Sequence, residues 1–218
     1  MPQPKNALAP DRANVNALSQ QSSLAGKAAQ LPAEWTSVLK PGSAAYEIAA
    51  LLNATGQLPK INFNKSMASE HSGVYDKESN SIMVNANRKD LANTLPHELT
   101  HALRLVMQDR VRNMNEMARQ TGNPLTGVDR QLSDAWYKLD PDFSKLPTFT
   151  YPDASYNKYR HSFHEAPAWA VGNMDSPQKF RSRGEYLMTD PGGSHVDATL
   201  ATEQAILRDL YAKQLKLK

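Results

Sequence analysis

The spacing of apolar and polar positions changes several times along the chain, and each change marks an element. Across residues 33–57, Ala44, Ala45, Ile48, Ala49, Leu51 and Leu52 crowd one side of a helix, and Gly56 offers a stop. The period then falls to two. Lys60–Asn64 and Gly73–Asp76 alternate, Ser81–Asn85 reads as a third strand, and Gly73 with residues 77–80 supplies turn chemistry. These runs predict a small antiparallel sheet. A longer helical period follows over about Asn93–Arg119, with Leu99, Ala102, Leu103, Leu105, Val106, Val111 and Met114 at apolar positions. A proline is tolerated in a first turn, so Pro96 places the expected start near Thr94, whose hydroxyl can cap it. Gly122-Asn123-Pro124 closes that region. Val128–Leu139 and residues 161–173 read as further helices, separated by a loop rich in Pro and Tyr, and Asp197–Leu217 is amphipathic at near-helical spacing.

The first 32 residues are rich in Ala, Gln, Asn, Ser and Pro and hold no aromatic residue. They read as a flexible polar arm with room for one short helix around Val15–Leu31. The expected organisation is thus an arm, residues 1–32, followed by a single α+β domain, residues 33–218.

Composition narrows the chemistry. A chain of 218 residues, 40% hydrophobic and 22% charged, can bury a core. The net charge of +3 is spread along the chain rather than gathered in one run, which points away from nucleic acid as a partner. There is no cysteine, so disulfides, thiolate metal sites and cysteine nucleophiles are excluded, and any metal must be held by His, Asp or Glu. No run approaches the ~20 apolar residues of a membrane span. The first residues lack the basic and apolar regions of a cleaved signal peptide. The expected location is cytoplasmic, or outside the cell by a signal-independent route, with no membrane partner.

The motif that carries chemistry is His97-Glu98-Leu99-Thr100-His101. Histidines four apart on a helix share a face, so both imidazoles can reach one cation, and imidazole is a good ligand for Zn2+. Glu98 stands beside His97, where a carboxylate can take a proton from attacking water and pass it to a leaving amine. Asp190-Pro191-Gly192-Gly193 is a turn signal. Trp136 and Trp169 are expected in the core, and His71 and His195 in surface loops.

Residues 58–110, with Ile61–Phe63, Gly73–Tyr75, Ser81–Asn85 and then Thr94-Leu95-Pro96-His97-Glu98-Leu99-Thr100-His101-Ala102, resemble the core of a minimal zincin metallopeptidase, in which a small sheet precedes an HExxH helix. The resemblance implies a zinc endopeptidase with His97 and His101 as metal ligands, Glu98 as general base, and an edge strand that receives an extended peptide. The metzincin branch needs Gly three and His six residues after His101, where this chain has Arg104 and Met107. The gluzincin branch takes a Glu from a later helix, and His164-Glu165-Ala166-Pro167-Ala168-Trp169-Ala170 resembles that helix. Glu165 is therefore favoured as third ligand, with His164 and His161 as alternatives. Glu116, far along the first helix, is a poor candidate. Tyr156, Tyr159 and His161 are candidate oxyanion donors. Small cysteine-free zincins with a polar arm resemble secreted bacterial effector or toxin proteases, and also phage- or mobile-element-linked peptidases. The partner implied is a protein or peptide substrate. The alternative is a virion- or secretion-apparatus-associated structural protein on the same fold that retains the zinc site.

Overall fold

The computed structural model describes residues 31–68, 71–87, 91–139, 165, 168, 171–172 and 193–217, with the backbone alone over 193–201. Its elements run α1 (Ala33–Thr36), α2 (Ala44–Ala54), β1 (Lys60–Asn64), β2 (Gly73–Asp76), β3 (Ser81–Asn85), α3 (Leu91–Thr121), α4 (Gly127–Leu139) and α5 (Gly193–Gln214). The fold is mixed α+β. The expected helix over 33–57 is two pieces, because Pro41-Gly42 breaks it and Gly42 takes φ +80, a conformation other residues avoid. α2 then starts afresh, with the Ser43 side chain accepting from the Tyr46 N–H as its cap.

The sheet corrects the expectation of an antiparallel one. Its order is β1-β3-β2, with β1 parallel to β3 and β2 antiparallel to it. β2 and β3 form a hairpin closed by residues 77–80, where Asn80 takes φ 45. β1 lies on the far side of β3, so the chain must pass the end of β3 between β1 and β2. Buried Asn85 organises that crossing. Its Nδ2 donates to the carbonyls of Ala68 at 3.1 Å and His71 at 2.9 Å, while its backbone N–H donates to Ser72 at 2.9 Å. Alternation within strands does not reveal pairing direction, which is why the sequence missed the parallel pair. Gly73 is the first residue of β2 rather than a turn residue.

α3 has 31 residues and begins at Leu91, not near Thr94, so Pro96 lies inside the helix. Burial explains the early start: Asn93, Thr94, Leu95 and Pro96 are all buried, and this packing offsets the one backbone bond that proline removes. α3 packs on α2, α4, β2 and β3. Leu95, Leu99, Leu103, Met107 and Val111 form the middle of one hydrophobic cluster with Ile48, Leu51 and Leu52 of α2, Ile82 and Val84 of β3, Leu132 and Trp136 of α4, and Leu207 and Tyr211 of α5. Trp136 is in the core as expected, and His71 is exposed. Trp169 and the side chain of His195 lie outside the described residues. Leu31, read from the sequence as part of the arm, is buried in this cluster; residues 1–30 lie outside the described residues. The last helix begins at Gly193, four residues before the expected Asp197. Among the described residues, no helix is long and apolar enough to cross a membrane.

Asn85→Ala strips the bonds that hold the crossing loop. It should cost roughly 1–3 kcal/mol in denaturant unfolding and speed amide exchange over residues 66–72, with α3 unaffected. Unchanged exchange in that loop would show that Asn85 does not hold it.

Candidate metal centre

His97 and His101 occupy successive turns of α3 on one face, as the i, i+4 spacing dictates. Their Nε2 atoms lie 3.1 Å apart, and the rings meet edge to face at 79° with centroids 4.8 Å apart. Two ring nitrogens this close can reach one cation. Glu165 closes the set from a distant part of the sequence. Its Oε2 lies 3.4 Å from His97 Nε2 and its Oε1 3.5 Å from His101 Nε2. One ligand atom from each of the three residues falls within 4.8 Å of the others, and the cluster could hold a metal ion.

A tetrahedral zinc ion fixes the edge lengths of its donor set. Donors about 2.1 Å from a tetrahedral ion stand roughly 3.4 Å from one another. The observed nearest separations of 3.1, 3.4 and 3.5 Å bracket that value. Two imidazoles and a carboxylate are also an ordinary zinc donor set, with one tetrahedral position left for water or substrate. The residues fit the ion.

Glu165 itself is buried and lies in a turn just ahead of helical residues 168, 171 and 172. This is where Pro167 predicts it, at or before a first turn. The segment is pressed against α3 by small residues. A Cβ at Gly172 would stand 3.1 Å from the Asn93 carbonyl and 3.5 Å from His97 Cβ. His97 also makes a hydrogen bond with the Ala168 backbone. With Nε2 turned to Glu165, the other ring nitrogen is the one available for it, and such a bond fixes the tautomer of a ligand histidine. His164, His161, Tyr156 and Tyr159, the alternative ligand and oxyanion candidates, lie outside the described residues.

The electrostatics follow from burial. Desolvation lowers the proton affinity of His97, but Glu165, the charge of Glu98 and the Ala168 bond outweigh it, and its pKa ends above the ordinary imidazole value. Glu98 is pushed up by desolvation first and by the Glu165 charge, against the opposing pull of His97 and the Tyr75 amide. Glu98 does not join the triad. It is buried, and its Oε2 accepts a hydrogen bond from the Tyr75 backbone N–H of β2 at 2.9 Å. Glu116 is exposed and paired with Arg119 at 2.7 Å, away from the site.

The structure brings His97, His101 and Glu165 together as one cluster, with Glu98 next to it on α3, and the contacts that hold them were not read from the sequence. Gly73 read as a turn residue at the head of a strand, and Gly172 only as one position of a short helix. Arg104 and Gln108, seven and eleven residues after His97 on the same face, are both buried. Compared with family models, curated proteins and solved structures, the chain finds no match.

Zinc-loaded, dialysed protein should retain one ion per chain by elemental analysis, and His101→Ala and Glu165→Ala should retain almost none. Because the raised pKa keeps a proton on His97 above the usual imidazole range, that proton competes with the ion, and apparent affinity should rise as pH increases through and beyond about 6.5. Gly172→Val should weaken binding by roughly 10–100-fold, the scale of a lost supporting contact. A Gly172→Val variant that binds as tightly as the wild type would mean that the close approach does not set the donor separations.

Proposed function

We propose that this protein is a zinc metallopeptidase of the zincin kind, an endopeptidase that cuts an extended stretch of a protein substrate. One observation carries the reading: the His97, His101 and Glu165 donors converge beside Glu98, a buried carboxylate on the same turn of α3. Zinc held by the triad supplies Lewis acidity for the scissile carbonyl and lets water ionise near neutral pH. His97 and His101 present neutral Nε2 lone pairs to it, and Glu165 presents a carboxylate oxygen. Glu98 accepts a proton from the attacking water, becoming a carboxylic acid. It then delivers that proton to the amide nitrogen as the C–N bond breaks. A carboxyl group raised by burial suits both steps, since it takes and returns a proton closer to neutral pH.

The substrate class comes from the neighbouring strand. β2 is an edge of the sheet. The Asn85-to-Ser72 bond and the antiparallel register turn the backbone groups of Ser72, Val74 and Asp76 toward β3, and those of Gly73 and Tyr75 outward. An extended peptide adds to such an edge by main-chain hydrogen bonds. A purely structural ion has no use for Glu98, and structural zinc sites commonly use four protein ligands, whereas the described residues give three.

The test uses Glu98→Gln, which keeps size and hydrogen bonding but removes the base. It should bind one zinc per chain and cleave a mixed-sequence peptide library some 10²–10⁴-fold more slowly than the wild type. Equal cleavage by the two proteins, or none by the zinc-loaded wild type, would refute the endopeptidase reading.

A further inference from the structure

Gly73 sits where β2 presses hardest on α3. A Cβ built there would stand 2.5 Å from Thr94 Cγ2, 3.2 Å from Glu98 Cγ and 3.3 Å from the Met83 carbonyl oxygen. The space is closed on three sides, by a buried β-branched side chain on the helix, by the carboxylate-bearing Glu98 and by the backbone of β3. Thr94 has only two χ1 wells open to it in a helix, and it is buried, so its methyl group has little room to move away. Two residues along β2, the Tyr75 N–H donates to Glu98 Oε2 at 2.9 Å. Displacing the strand by even an ångström would carry that pair beyond hydrogen-bond reach.

We infer that Gly73 is a positioning residue for Glu98: only a residue without a side chain lets β2 close on α3 far enough for the Tyr75 amide to hold Oε2, leaving Oε1 as the oxygen that meets the attacking water. The inference rests on the endopeptidase reading and deepens it. A backbone donor is a rigid one. It fixes the carboxylate without the rotamer freedom of a side-chain partner, and it favours the ionised form that a base requires. The arrangement also occupies one of the outward amides of the edge strand. The main-chain groups that β2 keeps turned outward are then the Gly73 N–H and carbonyl and the Tyr75 carbonyl, which fixes the register in which a peptide can pair beside Glu98.

The closing experiment is residue-resolved amide exchange on zinc-loaded protein, with zinc content measured alongside. The Tyr75 amide should exchange roughly tenfold more slowly in the wild type than in Glu98→Ala, the factor carried by one charge-assisted bond. Glu98→Gln, whose side-chain oxygen still accepts, should keep most of the protection. Gly73→Ala should exchange like Glu98→Ala at Tyr75, retain one zinc per chain, and keep normal protection at Val74 and Asp76, which face β3. Gly73→Ala/Thr94→Ser, which removes the methyl group nearest the new Cβ, should move Tyr75 back toward the wild type. On the peptide library, Gly73→Ala should lose about tenfold or more in kcat with KM little changed. Equal exchange at Tyr75 in the wild type and Glu98→Ala overturns the inference. So does wild-type protection in Gly73→Ala, and so does a loss shared by Val74 and Asp76, which would mark simple unzipping of the strand. If Tyr75 behaves as expected while Glu98→Gln cleaves as well as the wild type, the endopeptidase reading fails and the geometric lock alone survives.

Discussion

One helix carries both the middle of the core and two members of the candidate metal site, and the 3.6-residue period keeps the two apart. Leu95, Leu99, Leu103, Met107 and Val111 bury one side of α3 completely or almost so, while His97, His101, Arg104 and Gln108 occupy another. The separation of the two imidazoles is therefore set by helical hydrogen bonds rather than by a loop. The same burial decides where the helix starts. An interior proline costs about 3 kcal/mol, and each fully buried leucine contributes about 1.5–3 kcal/mol. Leu95 and Leu99, on either side of Pro96, are enough to carry the helix through it.

The site concentrates charge that the interior would otherwise reject. Glu98 and Glu165 are both buried, and each carboxylate disfavours ionisation of the other. Charges left unpaired in such a place cost several kcal/mol each. The proton that Glu165 and Glu98 favour on His97 would be one source of compensation, and the Tyr75 amide is another. A divalent ion would replace the first and leave the second untouched. The donor cluster and the Glu98 carboxylate are thus supported by different elements: the segment bearing Glu165, Ala168 and Gly172 for the one, and β2 for the other.

Much of this could be read from the chain before any coordinates. The strands stood out by period two, and α3 by its apolar stripe. The i, i+4 histidines need only one helix to share a face, so their meeting followed from local structure alone. Glu165 was reached through resemblance and not through spacing, because nothing local ties it to His101. The parallel pairing of β1 with β3 was illegible, since alternation is the same for either direction and the deciding contacts of Asn85 run through backbone carbonyls. The starting point of α3 was misjudged because proline rules weigh the backbone only, whereas Thr94 and Leu95 are held by tertiary packing. Gly73 looked like turn punctuation. Its role depends on Thr94 and Glu98, residues that sequence order places on another element.

The triad joins positions far apart in the chain. Glu165 stands 64 residues after His101 (165 − 101), yet the two side chains meet in one cluster. An ion shared across them would act as a staple, closing a long loop and removing configurational freedom from the unfolded chain, much as a disulfide does. A protein without cysteine has no covalent staple of its own. This one would be reversible, opening in acid as protons displace the ion and closing again as they leave.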